Sequence, residues 1–433
     1  MPFEHASSGR KKIAIIGSGI TGLGAAYTLA PSHDVTLFEA EARLGGHART
    51  VVAGKNGDQP VDTGFIVFNY ANYPNLARVF DELDVPVTES SMNFGASLRG
   101  GGLEYGLDGF HAFFAQKRNL ADPRHLNMLR DIFRFNANAV KMVGAYPDLT
   151  IGEFLDKMGM GRRFRDYYLL PLTGAIWSTP TRQVAEFPAH AMVRFLKNHG
   201  LLSYDQQHQW YTVVGGSVTY VDKMATALRR MGVTMRLSCP IEVVTRNEIG
   251  AQVKARGVEP QDFDEVIFAT HSDVSLGLLG DPSEEEASLL GAVKYQPNEV
   301  VLHCDRSVMP KREAVWSSWN YCESPAQRDG QIDLTYWMNS LQPIPKNDPH
   351  FVTLNSNREI REEMIYDQVT LHHPVYDLAA LEAQGGIRAV NGTRNTWFSG
   401  AWMKDGFHED GLSSGLEVAE AILAGDSVAM AAE

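Results

Sequence analysis

The first forty residues alternate between apolar runs and glycine-rich breaks in the manner of a strand–helix–strand unit. Lys12–Ile16 has the continuous apolar character of a buried strand, Ile20–Ala30 is long enough for a helix, and Asp34–Phe38 resembles a second buried strand. Glycines interrupt the apolar residues, which sets this stretch apart from a signal peptide or a membrane-spanning helix. The pattern therefore predicts a βαβ unit at the start of the chain.

Later stretches differ in their periodicity and divide the chain further. Between residues 76 and 200, apolar positions recur at spacings of three and four, which predicts a largely helical lobe with helices at Leu76–Leu83, His125–Met142 and Ile151–Met158. From residue 211 a helix and short strands return. A strand-rich stretch follows from about residue 293 to 371, with strand candidates at Val300–His303, Ala314–Trp319, Thr335–Met338 and Phe351–Leu354. The last segment, Thr396–Ala424, is predicted as a strand, a glycine turn and a helix that begins near Ser413.

Composition narrows the functional classes. With 433 residues, 44% of them apolar and 21% charged, the chain is long enough for two lobes that share a substantial core. Its net charge of −13 argues against a general affinity for nucleic acid, because binding to phosphates needs a concentrated basic surface. The three cysteines are widely spaced and form no CxxC pair, which is typical of the reducing cytoplasm. No histidines and carboxylates have the spacing of metal ligands, so we expect no metal.

A glycine motif lies between the first predicted strand and helix. Gly17-Ser18-Gly19-Ile20-Thr21-Gly22 permits a tight turn and places a helix N-terminus where it can bind a pyrophosphate. Glu39, 22 residues after Gly17, ends the second strand, where a carboxylate can accept hydrogen bonds from a ribose diol and would repel a 2′-phosphate. Together the motif and Glu39 predict a dinucleotide site.

The loop after Glu39 and Ala40 indicates which dinucleotide is bound. Its sequence, Arg43-Leu44-Gly45-Gly46-His47, resembles the loop that lies along the FAD pyrophosphate and ribityl chain in the flavin-containing amine oxidase and protoporphyrinogen oxidase superfamily. His47 stands where that superfamily usually has Arg. Arg43 can neutralise phosphate charge, and Gly45-Gly46 lets backbone N–H groups reach the ligand. A surface ion pair is the alternative for Arg43 alone.

Three more segments extend this resemblance. They are Val61–Phe65, the Gly215-Gly216-Ser217 element before a helix, and the C-terminal stretch 398–412. The resemblance implies that FAD is the cofactor and that a helix N-terminus near the flavin ring stabilises its reduced form. The residues that it implies as cofactor contacts are Gly17, Gly19, Ile20, Thr21, Gly22, Glu39, Ala40, Arg43, Gly45, Gly46, His47, Gly64, Phe65, Val243, Gly400, Phe407, Glu409, Asp410, Gly411 and Leu412.

The same resemblance implies a fold class and a division into domains. We expect an α/β fold in which a Rossmann-like FAD-binding domain of the amine-oxidase type is interleaved with a mixed α+β substrate domain. The FAD-binding domain is predicted to comprise residues 1–75, 205–290 and 385–433, and the substrate domain residues 76–204 and 291–384.

A narrower resemblance points to a substrate. The strings Phe114–Asn119, Gly174–Ser178 and Gly406–Gly411 are similar to the flavoprotein domain in front of plant cyclopropane fatty acid synthases and to its stand-alone bacterial relatives linked to modified fatty acids. This implies dehydrogenation or oxidation of a methyl-branched, cyclopropane or unsaturated fatty acyl group, in a phospholipid. It also implies a fatty acid methyltransferase or cyclopropane synthase as a partner.

Candidate catalytic residues follow from what a flavin reaction requires. His47, His303 and His408 are candidates for proton transfer, because a histidine titrates near neutrality, and His408 ranks first. For His303 we favour the alternative of a satisfied core histidine. Phe407 lies where amine oxidases carry a ring-facing aromatic, and Trp177 is a candidate wall of the site. Amine oxidases usually carry a lysine on the strand that we match to Pro297–His303, and this stretch has none. An amine or polyamine oxidase and a non-catalytic flavin-binding partner of a methyltransferase remain as alternatives. Further candidate walls are Trp210, Tyr211, Trp337 and Trp402.

An aromatic and basic stretch, residues 110–134, is unusual for so acidic a chain. Phenylalanines and leucines alternate there with Lys117, Arg118, Arg124, Arg130 and Arg134. We favour the interpretation that the stretch is a helix with one core face and one solvated face, and the alternative is a surface that rests on anionic lipid headgroups. We expect a cytoplasmic protein, with peripheral contact to the inner face of the membrane as the further hypothesis.

Overall fold

The computed structural model describes residues 9–146, 148–177, 179–202, 208–323 and 332–432, with side chains to residue 426 in the last range. Ser178, which belongs to one of the strings quoted above, and residue 205, where a predicted domain segment begins, lie outside the described residues.

The described strands are β1 to β20. They are Lys12–Ile16, Asp34–Phe38, Thr50–Ala53, Gln59–Asp62, Val67–Phe68, Val87–Ser90, Phe94–Leu98, Leu103–Gly106, Trp210–Val213, Thr234–Arg236, Ile241–Arg246, Ala251–Ala255, Gln261–Phe263, Glu265–Phe268, Lys294–His303, Trp319–Cys322, Leu334–Trp337, Phe351–Leu354, Ile365–Val375 and Thr396–Phe398.

The described helices are α1 to α15. They are Ile20–Leu29, Pro74–Glu82, Gly109–Phe113, Pro123–Ala145, Ile151–Lys157, Arg162–Phe164, Leu170–Trp177, Thr181–Val184, Ala189–Asn198, Val218–Arg230, Ser272–Leu278, Glu284–Ala292, Met338–Leu341, Leu378–Val390 and His408–Ala432. A π-helical turn, Arg165–Leu169, joins α6 to α7.

A five-stranded parallel sheet has the order β10-β2-β1-β14-β20. Its strands come from three separated parts of the chain, so the carboxyl ends of β1, β14 and β20 lie side by side at one edge. In open α/β sheets, ligands bind outside this edge. The predicted βαβ unit is present as β1, α1 and β2, and the predicted domain boundaries stay a prediction.

Helices α1 and α15 pack closely on one face of this sheet. A Cβ on Gly411 would lie 3.0 Å from both Ile20 Cγ2 and Thr21 Oγ1. A Cβ on Gly24 would lie 2.4 Å from a methyl group of Leu412, which is fully buried. The C-terminal helix therefore covers the first helix of the nucleotide-binding unit.

A second sheet has seven strands in the order β19-β15-β18-β17-β16-β7-β8. Its neighbours are antiparallel except for β16 and β7, which run parallel. Strands β6, β7 and β8 lie in the stretch that we predicted as largely helical. Strands β7 and β8 escape prediction because every residue in them is buried, which removes the alternation that marks a strand.

Two further predictions need correction. The strand predicted over Ala314–Trp319 begins only at Trp319, because Ser317 and Asn320 exchange hydrogen bonds that close a polar turn before it. The helix predicted to begin near Ser413 begins at His408, five residues earlier. Asp410 accepts a hydrogen bond from the Phe407 N–H at 2.9 Å, and acidic side chains in a first turn stabilise the helix N-terminus.

The largest core lies between the seven-stranded sheet and helices α4, α5, α7 and α9. Helix α4 begins after Asp122, whose side chain accepts a hydrogen bond from the Arg124 N–H at 2.9 Å, and Pro123 stands at its first position. A second core surrounds α1, α2, α10 and α15. None of the described helices combines the length and the apolar character that crossing a bilayer requires.

Candidate active site

A sharp turn after β1 forms one wall of the site. Gly17 has a φ of +102°, which side chains rarely adopt, and its N–H donates to the Phe38 carbonyl at 2.9 Å. A Cβ on Gly22 would lie 1.9 Å from the Gly17 carbonyl oxygen, so α1 packs directly on the turn. At Gly19, by contrast, no described atom lies within 4 Å of the place a Cβ would occupy. The N-terminus of α1 thus borders open space suited to an anionic group.

The carboxylate of Glu39 lies against this turn. It accepts hydrogen bonds from the Ser18 N–H at 2.9 Å, the Ser18 hydroxyl at 2.5 Å and the Glu41 N–H at 2.9 Å. Glu39 is half-buried and Ala40 is exposed, so the carboxylate keeps lone pairs for a ribose diol. Val243 is half-buried in β11, at a β-bulge of that strand.

The loop after Glu39 packs against the turn through its glycines. Gly45 pairs with Gly19 as a short parallel bridge, and a Cβ on Gly46 would lie 3.1 Å from Gly19 Cα. The guanidinium of Arg43 donates to the carbonyls of Gly46 at 2.8 Å and Ala48 at 3.2 Å. In this structure Arg43 therefore shapes the loop from within, and its Nε also pairs with Glu41 at 3.0 Å, which is the surface ion pair given above as the alternative.

The Val61–Phe65 segment supports the end of that loop. A Cβ on Gly64 would lie 1.9 Å from the His47 carbonyl oxygen, and the Phe65 N–H donates to the same oxygen at 3.0 Å. The Phe65 ring stacks on the His408 ring with 3.9 Å between centroids. His408 Nε2 lies 2.7 Å from the Tyr220 hydroxyl. The loop that ends at His47 is thus joined to the start of α15 through Phe65, whose ring stacks on His408.

The chemistry expected of His408 needs correction. Burial lowers the pKa of His408 to about 3, so its imidazole is neutral and a weak base at pH 7. It does not suit proton exchange near neutrality. Burial raises the pKa of Asp410, next to the backbone of Phe407, to about 7. Asp410 is therefore better suited than His408 to hold a proton that exchanges near neutrality.

Asp62 connects the same segment to the Gly215–Ser217 element. Its carboxylate accepts hydrogen bonds from the Ser217 N–H at 2.8 Å and hydroxyl at 2.7 Å, and from the Thr50 hydroxyl at 2.6 Å. Gln342, from the seven-stranded side of the molecule, donates to it at 3.0 Å. Burial raises the pKa of Asp62 to about 6. This carboxyl group therefore joins Ser217, at the start of α10, to Thr50 in β3 and to Gln342 beside the seven-stranded sheet.

Two side chains near the start of α15, those of Glu409 and Ser414, bind neighbouring segments of the chain. Glu409 accepts hydrogen bonds from the N–H groups of Asn75 and Leu76, both at 3.0 Å, and so caps α2. Its side chain is thereby engaged, although we predicted Glu409 as a cofactor contact. Gly400, in the turn after β20, donates its N–H to the Ser414 hydroxyl at 3.1 Å, which ties that turn to α15.

Three histidines converge beside the flavin loop. The His47 ring lies 5.8 Å from the rings of both His271 and His373. Burial lowers the pKa of His47, and it lowers the pKa of His271 and of His373 to about 3, so all three are neutral near pH 7. His271 stacks on Tyr295 at 4.3 Å. Among the described residues, no three histidine, cysteine or acidic side chains are placed to hold one metal ion.

Aromatic side chains at the ends of α7 and α9 and just before α15 pack against one another, and we call this cluster of rings the aromatic chamber. Phe407 stacks on Phe195 with 4.9 Å between centroids and meets His199 at 5.5 Å. Trp177 packs against the same Phe195 ring at 5.0 Å. Burial lowers the pKa of His199, so these ring contacts are uncharged at neutral pH. The structure thus brings the predicted Trp177 and Phe407 together through Phe195, which the sequence did not single out.

A surface cleft of about 650 Å³ borders both groups of rings. On one side Phe187 also contacts Trp177 at 6.4 Å, and on the other side Tyr295 stacks on His271. The cleft is therefore a candidate entrance. Its lining comprises Gln183, Glu186, Phe187, Tyr295, Gln296, Pro297, Val375 and Asp377.

The remaining aromatic candidates lie in other contacts. Trp402 is buried and donates its indole N–H to the backbone of the β14 edge. Trp210 and Tyr211 pack with aromatics around α2, and Trp337 meets Trp316 at 5.5 Å. These contacts are those of core residues.

Two residues on β15 support earlier interpretations. Lys294 is exposed at the start of the strand and donates to the Gly291 carbonyl at 2.6 Å, so it does not replace the missing lysine. His303 is fully buried, with Nε2 2.7 Å from the Thr353 hydroxyl. His303 is thus a satisfied core residue, as we expected.

Three features are those of a flavin-dependent oxidoreductase. They are the open space at Gly19, the Gly45–Gly46 loop that packs against Gly19, and the neighbouring cluster of aromatic rings. A comparison with protein families matches residues 20–354 to the flavin containing amine oxidoreductases. The match covers most of the chain, which therefore belongs to this family and uses FAD as its cofactor. The predicted superfamily, fold class and cofactor are confirmed.

Individual relatives add detail. The chain is 47% identical over 54 residues to L-amino acid oxidase Lm29 of Lachesis muta, a segment that spans 12% of this chain and 10% of that relative. A structure of putrescine oxidase bound to putrescine is 17% identical, with a TM-score of 0.66, and covers 96% of this chain and 99% of its own. A CLA-producing fatty acid isomerase from P. acnes is 15% identical, with the same TM-score of 0.66 and the same coverage of 96% and 99%. These structures share the fold.

Features of this chain fit FAD independently of its relatives. Besides the open face of Gly19, His47 Nε2 and Ser399 Oγ are buried and have no hydrogen-bond partner among the described residues. Ser399 follows β20 at the same sheet edge as Gly17, where a bound dinucleotide can satisfy such groups. When bound, FAD supplies a two-electron acceptor. The protein supplies binding, orientation and the exclusion of water.

Several residues of the site escaped sequence analysis. Ser399 directly follows β20 and His271 comes three residues after the end of β14, and this position beyond strands of the parallel sheet was the one signal that could have identified them. Phe195 and His373 carry no local signal, because they reach the site only through the packing of α9 and β19.

Proposed function

We propose that this protein catalyses the FAD-dependent oxidation of a lipid acyl chain, by dehydrogenation of an apolar carbon chain held in the aromatic chamber. The observation that carries the proposal is the contact of Phe407 with Phe195 and His199, whose rings are all uncharged at neutral pH. Such walls bind hydrocarbon and exclude water. A fatty acid isomerase with the same fold supports the proposal as an analogy.

The residues have separate tasks in this reaction. Dehydrogenation removes a hydride and a proton from neighbouring carbons, and FAD, when bound, would supply the hydride acceptor. Phe407 and Trp177 position the chain, because a reacting C–H must be held about 3 to 3.5 Å from its acceptor. Asp410, whose pKa burial raises to about 7, holds the released proton beside Phe407. The neutral rings of His47 and His408 complete the apolar surroundings.

Anaerobic mixing tests the proposal. The holoprotein is mixed with an unsaturated or methyl-branched acyl phospholipid, with the free fatty acid, and with putrescine and an L-amino acid as controls. We expect acyl compounds to bleach the oxidised-flavin absorbance and to yield a product lighter by two hydrogens. Bleaching by an amine alone would contradict the proposal. Bleaching by none would favour a non-catalytic flavin-binding partner of a fatty acid methyltransferase.

One observation favours a second candidate, an amine or polyamine oxidase. The exposed side chains of Glu186 and Asp377 stand in the lining of the cleft, where carboxylates attract cations. Under this alternative, Glu186→Gln raises the KM for an amine and leaves turnover at saturation unchanged. If Glu186→Gln changes neither parameter, the carboxylates at the cleft give no support to this candidate.

A further inference from the structure

The segment of residues 109–146 exposes several large apolar side chains. We call it the α3–α4 face, formed by the exposed side chains of residues 109–146. Isolated exposed apolar residues are normal, but a contiguous set marks an interaction surface. The set and its exposed fractions are Phe110 69%, Leu120 51%, Leu126 43%, Phe133 55%, Val140 41% and Tyr146 37%.

Three of these residues form a row along α4. Leu126, Phe133 and Val140 are spaced by seven residues, which places them on the same side of the helix. Helix α4 has 23 residues and extends over about 35 Å. Its buried side, which includes Ile132 and Phe135, faces the core. The row therefore lies along the outer surface of α4, although large apolar residues of a helix normally face the core.

The charges of the α3–α4 face are of one sign at its surface. Residues 109–146 contain six Lys and Arg against two Asp, a net charge of +4 within a chain of −13. Asp122 caps α4 and pairs with Arg163 at 2.9 Å. Asp131 is 2% exposed, accepts a hydrogen bond from the Gly161 N–H at 2.9 Å and pairs with Arg130 at 3.4 Å. The exposed cations are Lys117, Arg118, Arg124, Arg130, Arg134 and Lys141.

The position of α4 relates this face to the chamber. Helix α4 packs on α9, and α9 carries the Phe195 ring that stacks on Phe407. One helix thus separates the α3–α4 face from the aromatic rings of the site.

We propose that the α3–α4 face docks on an anionic lipid bilayer. A bilayer surface provides anionic headgroups for exposed lysines and arginines and an apolar boundary for a row of Leu, Phe and Val. The charge complementarity is specific to this face, because the chain as a whole is acidic and would be repelled by an anionic surface. This inference deepens the proposed function, on which its biological purpose rests, by placing the enzyme where acyl phospholipids are.

Vesicle flotation of the holoprotein tests the inference. Vesicles of phosphatidylcholine alone are compared with vesicles that contain phosphatidylglycerol. We expect wild type to float with the anionic vesicles only, and Arg130→Glu/Lys141→Glu to lower this binding at least tenfold. Leu126→Ser/Phe133→Ser should lower it as well, with less dependence on salt. A matched control is Arg229→Glu/Arg230→Glu, which makes the same charge change at the exposed end of α10 and should bind like wild type.

Each other outcome overturns the inference. No binding by wild type, or equal binding by Arg130→Glu/Lys141→Glu, removes the lipid surface. A wild-type dimer in light scattering that Leu126→Ser/Phe133→Ser dissociates, without vesicle binding, assigns the face to a second copy of the chain. FAD content and circular dichroism equal to wild type exclude misfolding as the cause of a loss.

The test is independent of turnover. If the protein binds vesicles but acyl lipid does not bleach the flavin absorbance, the proposed function is wrong and the docking surface is still supported. A second combination would contradict the docking surface alone. In it, Arg130→Glu/Lys141→Glu turns over a dispersed short-chain acyl substrate as wild type does, and it binds vesicles as well as wild type does.

Discussion

The cofactor side of this molecule and the side that we propose to bind the substrate, here called the substrate side, differ in the groups that form their walls. At the edge of the parallel sheet, the walls are backbone and small residues, and Gly22 and Gly64 leave no room for a Cβ. In the chamber, the walls are large rings from α7, α9 and the start of α15. Backbone walls cannot be changed without moving a strand or helix, whereas rings can be exchanged one at a time. One fold can therefore keep its cofactor while its substrate changes.

The largest expected effect is a loss of FAD binding without a loss of folding. Gly19→Val should lower FAD affinity by at least about 100-fold, or about 3 kcal/mol, because its side chain would fill the space intended for the ligand. Since no described atom lies within 4 Å of that space, the apoprotein should remain folded. FAD content after purification and circular dichroism measure the two parts.

Gly22→Val is the matched control for Gly19→Val. Its Cβ would lie 1.9 Å from the Gly17 carbonyl oxygen, so it should prevent stable folding instead of only FAD binding. A yellow Gly19→Val protein with normal FAD content would mean that the dinucleotide lies elsewhere.

The next prediction breaks the connection between the two sides. Asp62→Ala leaves buried donors of Ser217, Thr50 and Gln342 unpaired and should lower the free energy of unfolding by about 3 kcal/mol. Asp62→Asn keeps one acceptor oxygen and should cost less. Urea unfolding of both variants measures the difference. A loss below about 1 kcal/mol for Asp62→Ala would remove Asp62 as the link.

A smaller effect sharpens the substrate side. Under the proposed function, Phe407→Ala should reduce kcat/KM for an acyl substrate by about tenfold, because it deletes the ring that meets Phe195 and His199. Phe407→Tyr, which keeps the ring, should retain most of the activity. FAD content should stay normal in both variants. If Phe407→Ala lost its FAD instead, the two sides would not be separable in the way described here.

The smallest effect concerns pH. The folded pKa of His408 is about 3, below its unfolded value of about 6.5, so the unfolded chain takes up a proton first as the pH falls. Its contribution to stability is complete above pH 6.5 and decreases towards pH 3. Wild type should therefore lose more thermal stability than His408→Gln between pH 7 and pH 5, by about 2–4 °C in Tm.

The carboxyl groups Asp62 and Asp410 act in the opposite direction over this range. Their folded pKa values of about 6 and about 7 lie above the unfolded value, so their contribution decreases as the pH rises. Both groups are present in wild type and in His408→Gln, and they cancel in the comparison of the two proteins. Parallel Tm curves for the two proteins would show that His408 is not held neutral by burial.

Local signals decided what the sequence could predict. The turn at Gly17, the carboxylate of Glu39 and the loop at Gly45 lie within about thirty residues, and each follows from the geometry of one βαβ unit. The chamber has no such signal, because Trp177, Phe195 and Phe407 approach only after α7, α9 and α15 have packed. The start of α15 was misplaced for a related reason, since a glycine turn and a capped first turn have similar composition.

The contact between Gly24 and Leu412 has a consequence for biosynthesis. A ribosome produces α1 some 380 residues before the helix that covers it. Until residue 412 has emerged, the nascent chain presents the glycine-bearing side of α1 without its cover, and β20 is missing from the edge of the parallel sheet. FAD capture is thus expected late in synthesis, and a chain stalled before residue 396 should be a client for chaperones.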